Sequence, residues 1–246
     1  MIWIVSWRRI EMYRHHCLTD ELEKTTVLLR DEAARHLGTV LRVVPGKEVQ
    51  LFDGKGRTRL YTVTAAEKKQ IDLSAIDAIC EHPPMRSEIV LYACISKGER
   101  MDWLVEKAVE LGAARIVPVI SDRSVVRLKP EERAAKRDRW MRIVGETAKQ
   151  CGAVWLPVVE IPLPLRELKL AGLNFVAALK PDAGPIRFDG LPDCVGFITG
   201  PEGDFTDGEL DYLIGQGAIP VTLGPLVLRA ETAAIYGLSV LRHLTA

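Results

Sequence analysis

The chain has 246 residues, 48% of them hydrophobic, and its 33 basic and 33 acidic side chains balance to a formal net charge of zero. This length suits one large domain or two small ones, and the hydrophobic content is sufficient for a buried core. No apolar run is long enough to span a bilayer as a helix, so we predict no membrane contact. The five cysteines form neither a C-x-x-C motif nor a cluster of zinc-binding spacing, which predicts reduced thiols, no bound metal and a cytoplasmic location.

The charges are unevenly distributed along the chain. Residues 121–150 carry four more basic than acidic side chains, whereas residues 181–217 carry seven more acidic than basic ones. A basic segment in a neutral chain is compatible with a surface that faces phosphate groups. A solvated helix face is the alternative explanation, and charge alone does not distinguish the two.

Residues 12–80 have the pattern of a small β unit. Short runs rich in Val, Ile, Leu and Thr alternate with the turn signals "PGKE", "DGKG" and "EKKQ", which is typical of strands joined by tight turns. One helix is predicted over residues 31–41, where acids begin the segment and apolar residues recur at helical spacing. We therefore predict a β-barrel domain over residues 12–80, preceded by an extension over residues 1–11 and followed by a proline-containing linker over residues 81–87.

From residue 88 onward, predicted strands and helices alternate. Strands are predicted at "EIVLYACI", "ARIVPVI", "LNFVAAL", "CVGFITG" and "AIPVTLG". In the segment "GERMDWLVEKAVELG" the apolar residues recur with the spacing of one helix face. Thr206 and Glu209 have the spacing of a capping box, which predicts a helix start. This alternation predicts an α/β domain with a mostly parallel sheet over residues 88–246.

Three loops follow successive predicted strands, at residues 177–185, 198–205 and 223–232. In an open α/β sheet, ligands bind beyond the carboxyl ends of the strands. The glycines and prolines of these loops let a ligand approach the backbone closely. Ordinary turn chemistry is the alternative explanation for each loop, and the chain contains neither a G-x-G-x-x-G fingerprint nor a P-loop.

The third loop combines an apolar run with an isolated arginine. Residues 226–228 are expected to continue a strand and seat the loop in the core, so Arg229 then needs an acidic partner or a ligand. Glu202 and Glu231 lie at predicted helix starts, where the helix dipole favours a carboxylate.

Eight short segments of the chain are typical of one known family: "MYR", "RHLGTVLR", "LFDGKG", "KGERMDWLVEKAVELGA", "SDRSVV", "ETAKQCG", "GPEGDF" and "LGPLVLRAETAA". Together they resemble the RsmE family of bacterial 16S ribosomal RNA uridine methyltransferases, over nearly the whole chain from Met12. The resemblance implies a PUA-like β-barrel domain followed by a SPOUT α/β domain with a deep trefoil knot, which binds S-adenosylmethionine and forms a homodimer. The implied reaction is methylation of N3 of a single uridine in 16S rRNA, within the small ribosomal subunit.

Carried over residue by residue, the resemblance implies a cofactor site in the same three loops. The implied contacts are Leu179, Lys180, Ile198, Thr199, Gly200, Glu202, Gly203, Leu223, Gly224, Leu228, Arg229 and Thr232. Basic residues within the matching segments imply RNA contacts, with a solvent-exposed charge as the alternative for each: Arg14, Lys97, Arg100, Arg123 and Arg127.

Methylation of N3 requires that the N3 proton leaves the uridine. Arg229 stays protonated, so we expect it to stabilise the uridine anion and not to act as a base. Glu231 is the candidate for accepting the proton or for orienting Arg229, and Glu202 is the competing acceptor. Solvent hydroxide is a third alternative.

Two positions depart from the family pattern. Asp204 stands where the family usually has a second glycine, and Ala153 stands where it often has an arginine. The first departure is expected to alter loop flexibility or cofactor affinity, and the second to remove a phosphate contact. Two alternative functions remain: a SPOUT enzyme that modifies another RNA site, and an RNA-binding assembly factor without catalytic activity.

Overall fold

The computed structural model describes residues 12–180 and 183–246. The described residues divide into two compact units, one formed by residues 12–84 and 148–155 and the other by residues 85–147 and 156–246. The extension predicted over residues 1–11 lies outside the described residues, and the domain boundaries predicted from the sequence remain predictions. No helix in the described part of the chain is both long and apolar enough to cross a membrane.

The first unit is built on a curled six-stranded sheet. Its elements are, in chain order, β1 (Tyr13–His16), α1 (Thr19–Leu22), β2 (Thr26–Arg30), α2 (Asp31–Arg35), β3 (Glu48–Phe52), β4 (Arg57–Glu67), β5 (Gln70–Ala75) and β6 (Cys80–Glu81). The strands are arranged in the order β1-β3-β4-β5-β2, and β6 pairs with β4. β1 and β3 run parallel, whereas the other neighbouring strands run antiparallel.

Alternation along these strands builds the core of the first unit. Val49 and Leu51 on β3, Tyr61 on β4, and Ile71 and Leu73 on β5 are almost completely buried, because alternate residues of a strand face the same side of the sheet. The turn predicted at "DGKG" is confirmed, since it joins β3 to the antiparallel β4.

The helix predicted over residues 31–41 is α-helical only in part. α2 ends at Arg35, and a π-helix continues from His36 to Val40. Each N–H of a π-helix reaches one residue further back than in an α-helix, and the N–H of Leu41 donates to the carbonyl of His36 at 3.0 Å. Apolar spacing over so short a segment fits both helix types, so the sequence pattern did not distinguish them.

Residues 152–155 join the first unit although they are distant from it in sequence. The N–H of Gly56 donates to the carbonyl of Val154 at 3.0 Å, and the indole N–H of Trp155 donates to the carbonyl of His82 at 3.1 Å. This segment therefore extends the hydrogen-bonding of the turn that joins β3 to β4.

The second unit contains a seven-stranded parallel sheet. Its elements are, in chain order, β7 (Glu88–Cys94), α3 (Glu99–Glu110), β8 (Arg115–Ile120), α4 (Pro130–Cys151, of which the residues from 148 belong to the first unit), β9 (Val158–Val159), β10 (Leu163–Pro164), a short 3₁₀ helix (Leu165–Glu167), β11 (Leu173–Ala177), β12 (Cys194–Thr199), α5 (Asp207–Gly215), β13 (Ile219–Val221) and α6 (Ala230–Leu244). The strand order is β10-β8-β7-β12-β11-β13, and β9 pairs with β8. All of these pairs are parallel, which confirms the predicted α/β sheet.

The helices of this unit use the apolar faces that the sequence predicts. α3 buries Met101, Leu104, Val105 and Ala108, which confirms the helical spacing. The strand β7 is buried from Ile89 to Cys94, as expected for a parallel strand that is covered on both faces.

Hydrogen bonds also fix the ends of the helices. Arg242 on α6 donates to the carbonyls of Leu111 and Gly112 at the end of α3. The predicted capping box of α5 is confirmed, because Thr206 and Glu209 each bond to the other's backbone N–H. Since the strands run parallel, their carboxyl ends lie at one edge of the sheet and the loops that follow them emerge there.

Candidate functional site

The three loops predicted from the sequence meet at one cavity. The cavity has a volume of about 540 Å³ and lies beyond the carboxyl ends of β11, β12 and β13. Pockets for small-molecule ligands usually have volumes of roughly 300–1,000 Å³. The predicted contacts that line the cavity are Leu179, Thr199, Gly200, Glu202, Gly203, Leu223, Gly224, Leu228 and Arg229, whereas Lys180, Ile198 and Thr232 do not line it.

Hydrogen bonds join the first loop to the end of β13, just before the third loop. The N–H of Ala178 donates to the carbonyl of Val221 at 3.1 Å, and the N–H of Thr222 donates to the carbonyl of Gly184 at 2.9 Å. Leu179, which follows directly, is 69% exposed and lines the cavity. This loop therefore offers an apolar side chain on a backbone that the end of β13 holds in place.

The second loop, residues 198–205, turns tightly beside the cavity. The N–H of Asp204 donates to the carbonyl of Pro201 at 3.0 Å, which closes a turn. Asp204 has a φ of +58°, in the left-handed region that glycine adopts readily and aspartate tolerates. Its Oδ1 accepts a 2.8 Å hydrogen bond from the N–H of Phe205. Asp204 thus occupies a conformation that a glycine at this position would favour.

The third loop does not enter the core as the sequence predicted. Leu226 and Val227 are 75% and 79% exposed, and the strand ends at Val221. The expectation that residues 226–228 continue a strand and seat the loop in the core is therefore wrong. The physical reason is that the chain leaves the sheet early and turns at Gly224, whose φ is +110°, so these side chains lie at the cavity in contact with solvent.

Arg229 is the last residue before α6. Its backbone is extended, with φ −65° and ψ 153°, and its exposed side chain lines the cavity. Within the described ranges, the ion pairs do not include Arg229. A cation that faces a cavity without an acidic partner suits a ligand that carries or develops negative charge.

Glu231 lies in the first turn of α6 and is only 8% exposed. Its Oε2 is enclosed and has no hydrogen-bond partner among the described residues. The helix N-terminus favours a carboxylate, but an enclosed oxygen without a hydrogen bond is unfavourable. Glu231 does not line the cavity, although its neighbours Ala230 and Ala233 do.

Glu202 and Asp204 are the two carboxylates of the second loop that line the cavity. For Glu202 the contacts are weak. Its Oε1 pairs with Nη1 of Arg100 at 3.4 Å, and the side chains of Glu202 and Arg100 are 28% and 48% exposed. A long and partly exposed ion pair contributes little stability. Glu202 is therefore held only weakly and can respond to a ligand.

The basic residues predicted to contact RNA have different surroundings. Arg14 belongs to the first unit, where its Nε donates to Gln50 at 3.1 Å. In the second unit, Lys97 is exposed and Arg127 donates to the carbonyl of Asp122 at 2.9 Å. Arg100 and Arg123, by contrast, contact the second loop: Arg100 pairs with Glu202, and Arg123 donates to the carbonyls of Gly203 and Phe205.

The thiol of Cys94, near this edge of the sheet, is buried and unreactive. Burial raises the pKa of the Cys94 thiol at the end of β7 to about 12, so the thiol stays protonated and is a poor nucleophile at neutral pH. Across residues 12–180 and 183–246, no group of three or more His, Cys, Asp or Glu side chains is placed to hold a metal ion.

The cavity also includes residues that were not among the predicted contacts: Ala177, Ala178, Pro201, Asp204, Val221, Thr222, Leu226, Val227, Ala230 and Ala233. Most of them are immediate neighbours of predicted contacts in the same loops. Ala230 and Ala233 are spaced so that both lie on one face of α6. This spacing was the sequence signal that could have predicted their place at the cavity.

Backbone groups and apolar side chains form most of the cavity, and Arg229, Glu202 and Asp204 are its charged residues. Such a lining suits a ligand with a flat apolar part and polar edges that main-chain groups can bind. The fold and the site therefore define a ligand-binding α/β domain whose cavity lies at the carboxyl edge of a parallel sheet.

Comparisons with known proteins are consistent across sequence and structure. Residues 83–242 match the RNA methyltransferase domain family, and residues 29–76 match the RNA methyltransferase PUA domain family. The ribosomal RNA small subunit methyltransferase E of Synechocystis sp. is 30% identical over 94% of this chain and 78% of its own length.

Two solved structures are also similar to the chain. A Legionella pneumophila methyltransferase in complex with the bound cofactor SAM is 33% identical, with a TM-score of 0.86 over 95% of this chain and 98% of its own. The ribosomal RNA small subunit methyltransferase E of Neisseria gonorrhoeae bound to S-adenosyl methionine is also 33% identical, with a TM-score of 0.83 over the same shares. The chain therefore belongs to the RNA methyltransferases, in the family of ribosomal RNA small subunit methyltransferase E, which confirms the resemblance inferred from its motifs.

Proposed function

We propose that this protein transfers a methyl group from S-adenosylmethionine to N3 of a single uridine in 16S rRNA, within the small ribosomal subunit. One observation carries the proposal. Three loops at the carboxyl edge of the sheet form a ligand-sized cavity, in a chain that is 33% identical to a methyltransferase solved with bound SAM.

The cavity fits S-adenosylmethionine in size and in lining. Gly200 and Gly203 carry no side chain, and a Cβ on Gly200 would already lie 3.3 Å from the ring of Phe205. Leu179 and Leu228 offer apolar surface to an adenine ring, and the main-chain groups of the loops are suited to its polar edge. When bound, S-adenosylmethionine supplies an electrophilic methyl group on its sulfonium.

Arg229 is the proposed electrostatic group for the reaction. Uridine N3 carries a proton and is a poor nucleophile until that proton leaves, and the resulting anion spreads its charge onto O2 and O4. A permanent cation at the cavity, with no acidic partner in the ion pairs of the described residues, stabilises that developing charge.

Glu202 and Glu231 are the proposed acceptors of the N3 proton. Glu202 lines the cavity and is bound only weakly by Arg100, so it can accept a proton from a ligand directly. Glu231 carries an enclosed oxygen that lacks a partner among the described residues, two positions after Arg229. If Glu231 orients Arg229 or accepts the N3 proton, its Oε2 gains a hydrogen-bond partner.

Further parts of the proposal concern the architecture. We propose that the second unit contains a deep trefoil knot and that the protein is a cytoplasmic homodimer. The meeting of three loops from separate strands at one cavity supports a knotted cofactor site. Large apolar side chains that are exposed support the homodimer, because a second copy of the chain would bury them. They are Trp103 on α3, Tyr236 on α6, and Leu226 and Val227 in the third loop.

RNA recognition is proposed for both units. The match of residues 29–76 to the RNA methyltransferase PUA domain supports this role for the first unit, to which Arg14 also belongs. In the second unit, Lys97 and Arg127 are exposed cations suited to phosphate contacts, which fix the position of an RNA without reading its sequence.

Nucleoside mass spectrometry of 16S rRNA tests the proposed function. A strain that lacks the gene is compared with its parent and with strains complemented by the wild-type gene or by the Arg229→Ala variant. We expect N3-methyluridine to disappear from one position and to return only with the wild-type gene. Loss of a different methylated nucleotide would instead identify another RNA site. Unchanged methylation, together with no binding of S-adenosylmethionine in calorimetry, would identify an assembly factor without catalytic activity.

A further inference from the structure

Arg123, which was expected to contact RNA, is directed at the backbone of the second loop. Its Nη1 donates hydrogen bonds to the carbonyl of Gly203 at 3.1 Å and to the carbonyl of Phe205 at 3.4 Å. The aliphatic part of the side chain lies beside the same loop, since a Cβ on Gly203 would be 3.5 Å from the Cβ of Arg123. Arg123 therefore bridges two carbonyls of a loop whose residues line the cavity.

The segment that carries Arg123 is itself held in place. The N–H of Ser121 donates to Oγ of Ser124 at 3.0 Å, the two Oγ atoms lie 2.8 Å apart, and both serines are buried. Because this backbone is already ordered, fixing the side chain of Arg123 costs side-chain entropy but little further backbone entropy. The guanidinium therefore starts from a backbone that already points it at the second loop.

A buried carboxylate makes a second connection between the two segments. Glu209 is 1% exposed, and its Oε1 accepts a 2.8 Å hydrogen bond from the N–H of Asp122. Its Oε2 accepts from the N–H and from Oγ1 of Thr206, at 2.9 and 3.0 Å. The segment before Arg123 and the end of the second loop thus share one carboxylate.

We infer that Arg123 is a positioning residue for cofactor binding, which holds the turn at residues 201–204 against the cavity from its outer side. The inference rests on the proposed function, because it assumes that this cavity takes S-adenosylmethionine. Pro201, Glu202 and Gly203 line the cavity, while the carbonyl of Gly203 accepts from Arg123.

The physical consequence concerns the population of the binding-competent loop. Without the bridge, the turn retains the Asp204 to Pro201 hydrogen bond, the Phe205 to Asp204 hydrogen bond and the long ion pair of Glu202. It then visits other conformations more often. The apparent dissociation constant of a ligand rises in proportion as the binding-competent fraction falls. Arg123 therefore acts on cofactor affinity without touching the cofactor.

Two variants of Arg123 and one control separate this role from an RNA contact. Arg123→Lys keeps the positive charge, but its ammonium ends one atom short of the position of Nη1, which donates to both carbonyls. Arg123→Ala removes charge and bridge together. Arg187→Ala is the control, because Arg187 is an exposed arginine that does not line the cavity. Circular dichroism verifies that the two Arg123 variants and the control variant are folded.

Calorimetry with S-adenosylmethionine alone gives the main result. We expect both Arg123 variants to bind about three- to tenfold more weakly, the range for losing one such hydrogen bond, and Arg187→Ala to keep the wild-type affinity. Steady-state kinetics should show a higher KM for S-adenosylmethionine with an unchanged KM for RNA in Arg123→Lys. In the protein without ligand, backbone amides of residues 203–206 should exchange hydrogen faster in Arg123→Ala.

These experiments distinguish a wrong inference about Arg123 from a wrong proposed function. If wild-type protein binds S-adenosylmethionine and both Arg123 variants bind it equally well, the positioning role is overturned and the function stands. If Arg123→Ala instead lowers RNA affinity while Arg123→Lys restores it, Arg123 is a phosphate contact and the inference is overturned. Wild-type protein that does not bind S-adenosylmethionine overturns the cofactor assignment, and the inference with it.

Discussion

Asp122 and Glu209 are joined across 87 positions of the chain, because the N–H of Asp122 donates a 2.8 Å hydrogen bond to Oε1 of Glu209. The same carboxylate closes the capping box of α5 through Thr206. A single buried side chain therefore begins a helix and also connects two loops, and its removal should affect both.

Glu209→Gln is expected to destabilise the second unit. The amide retains one acceptor oxygen, but its NH₂ group then faces an N–H donor, so a buried hydrogen bond is lost. We expect the free energy of unfolding to fall by about 1–3 kcal/mol. Urea denaturation measures this change, and Asp211→Asn on the exposed side of the same helix is the control. Equal stability of the two variants would show that the connection contributes nothing.

Arg229→Ala is expected to reduce turnover on the small ribosomal subunit by about 100-fold, the loss that is typical when one electrostatic group of an active site is removed. The fold should remain, since Arg229 forms none of the ion pairs of the described residues and its side chain is exposed. Turnover is compared at saturating S-adenosylmethionine, because Arg229 also lines the proposed cofactor cavity. Methyl transfer from labelled cofactor measures the rate. Arg187→Ala removes an exposed arginine outside the cavity lining and serves as the control. Near-normal turnover of Arg229→Ala would exclude the electrostatic role.

The two carboxylates can be separated by the pH dependence of kcat. A carboxylate base works only when it is ionised, so the rate of the wild-type enzyme should fall on the acid side. Replacement of the true base by glutamine, in Glu202→Gln or Glu231→Gln, should lower kcat and remove that acid limb. The variant that keeps the wild-type profile identifies the carboxylate that is not the base. Two unchanged profiles would leave solvent hydroxide as the proton acceptor.

Gly237→Ala is expected to destabilise the protein by overpacking. A Cβ at Gly237 on α6 would lie 2.2 Å from the ring of Phe197 on β12, which is fully buried. Overpacking of this kind typically costs about 1–3 kcal/mol. Gly145→Ala is the matched control, because Gly145 also lies within a helix and its Cβ would meet no atom within 4 Å. Alanine should stabilise that helix by about 0.5–1 kcal/mol. Thermal unfolding of both variants checks the opposite signs.

Alkaline pH is expected to destabilise the fold through Cys94. Burial raises the pKa of this thiol from 9.0 to about 12, so the unfolded chain releases the thiol proton before the folded chain does. The stability that Cys94 contributes is therefore fully present below pH 9 and is lost as the pH rises toward 12, by up to about 1.4 kcal/mol per pH unit. Urea unfolding of the wild-type protein and Cys94→Ala across this window tests the effect. The variant should lose stability less steeply, and parallel curves would contradict the prediction.

The local signals of the sequence predicted the elements well. The apolar spacing of α3, the capping box of Thr206 and Glu209, and the turn between β3 and β4 are all confirmed. Each depends on interactions between residues that are close in the chain, where helix period, cap chemistry and turn residues act directly. The family motifs add the expected cofactor loops, which the structure brings to one cavity.

Non-local packing explains what the sequence pattern could not provide. Residues 226–228 have a composition suited to the core, yet Leu226 and Val227 are exposed because the strand ends at Val221 and the loop borders the cavity. The RNA contact expected of Arg123 stays a prediction, and nothing in the sequence indicated that Nη1 of Arg123 donates to carbonyls 80 and 82 positions later. Hydrophobicity and charge state what a side chain requires, but they do not say which distant segment meets that requirement.

By itself, the sequence determined the parallel α/β class of the second unit, the turns and helix starts, and the family, since these follow from periodicity, local hydrogen bonding and linear motifs. Only the tertiary structure decided that the three loops meet at one cavity, that Glu231 carries an enclosed oxygen without a partner among the described residues, and that Glu209 and Arg123 connect two loops. The physical reason is that strand order in the sheet, and not distance along the chain, decides which loops become neighbours.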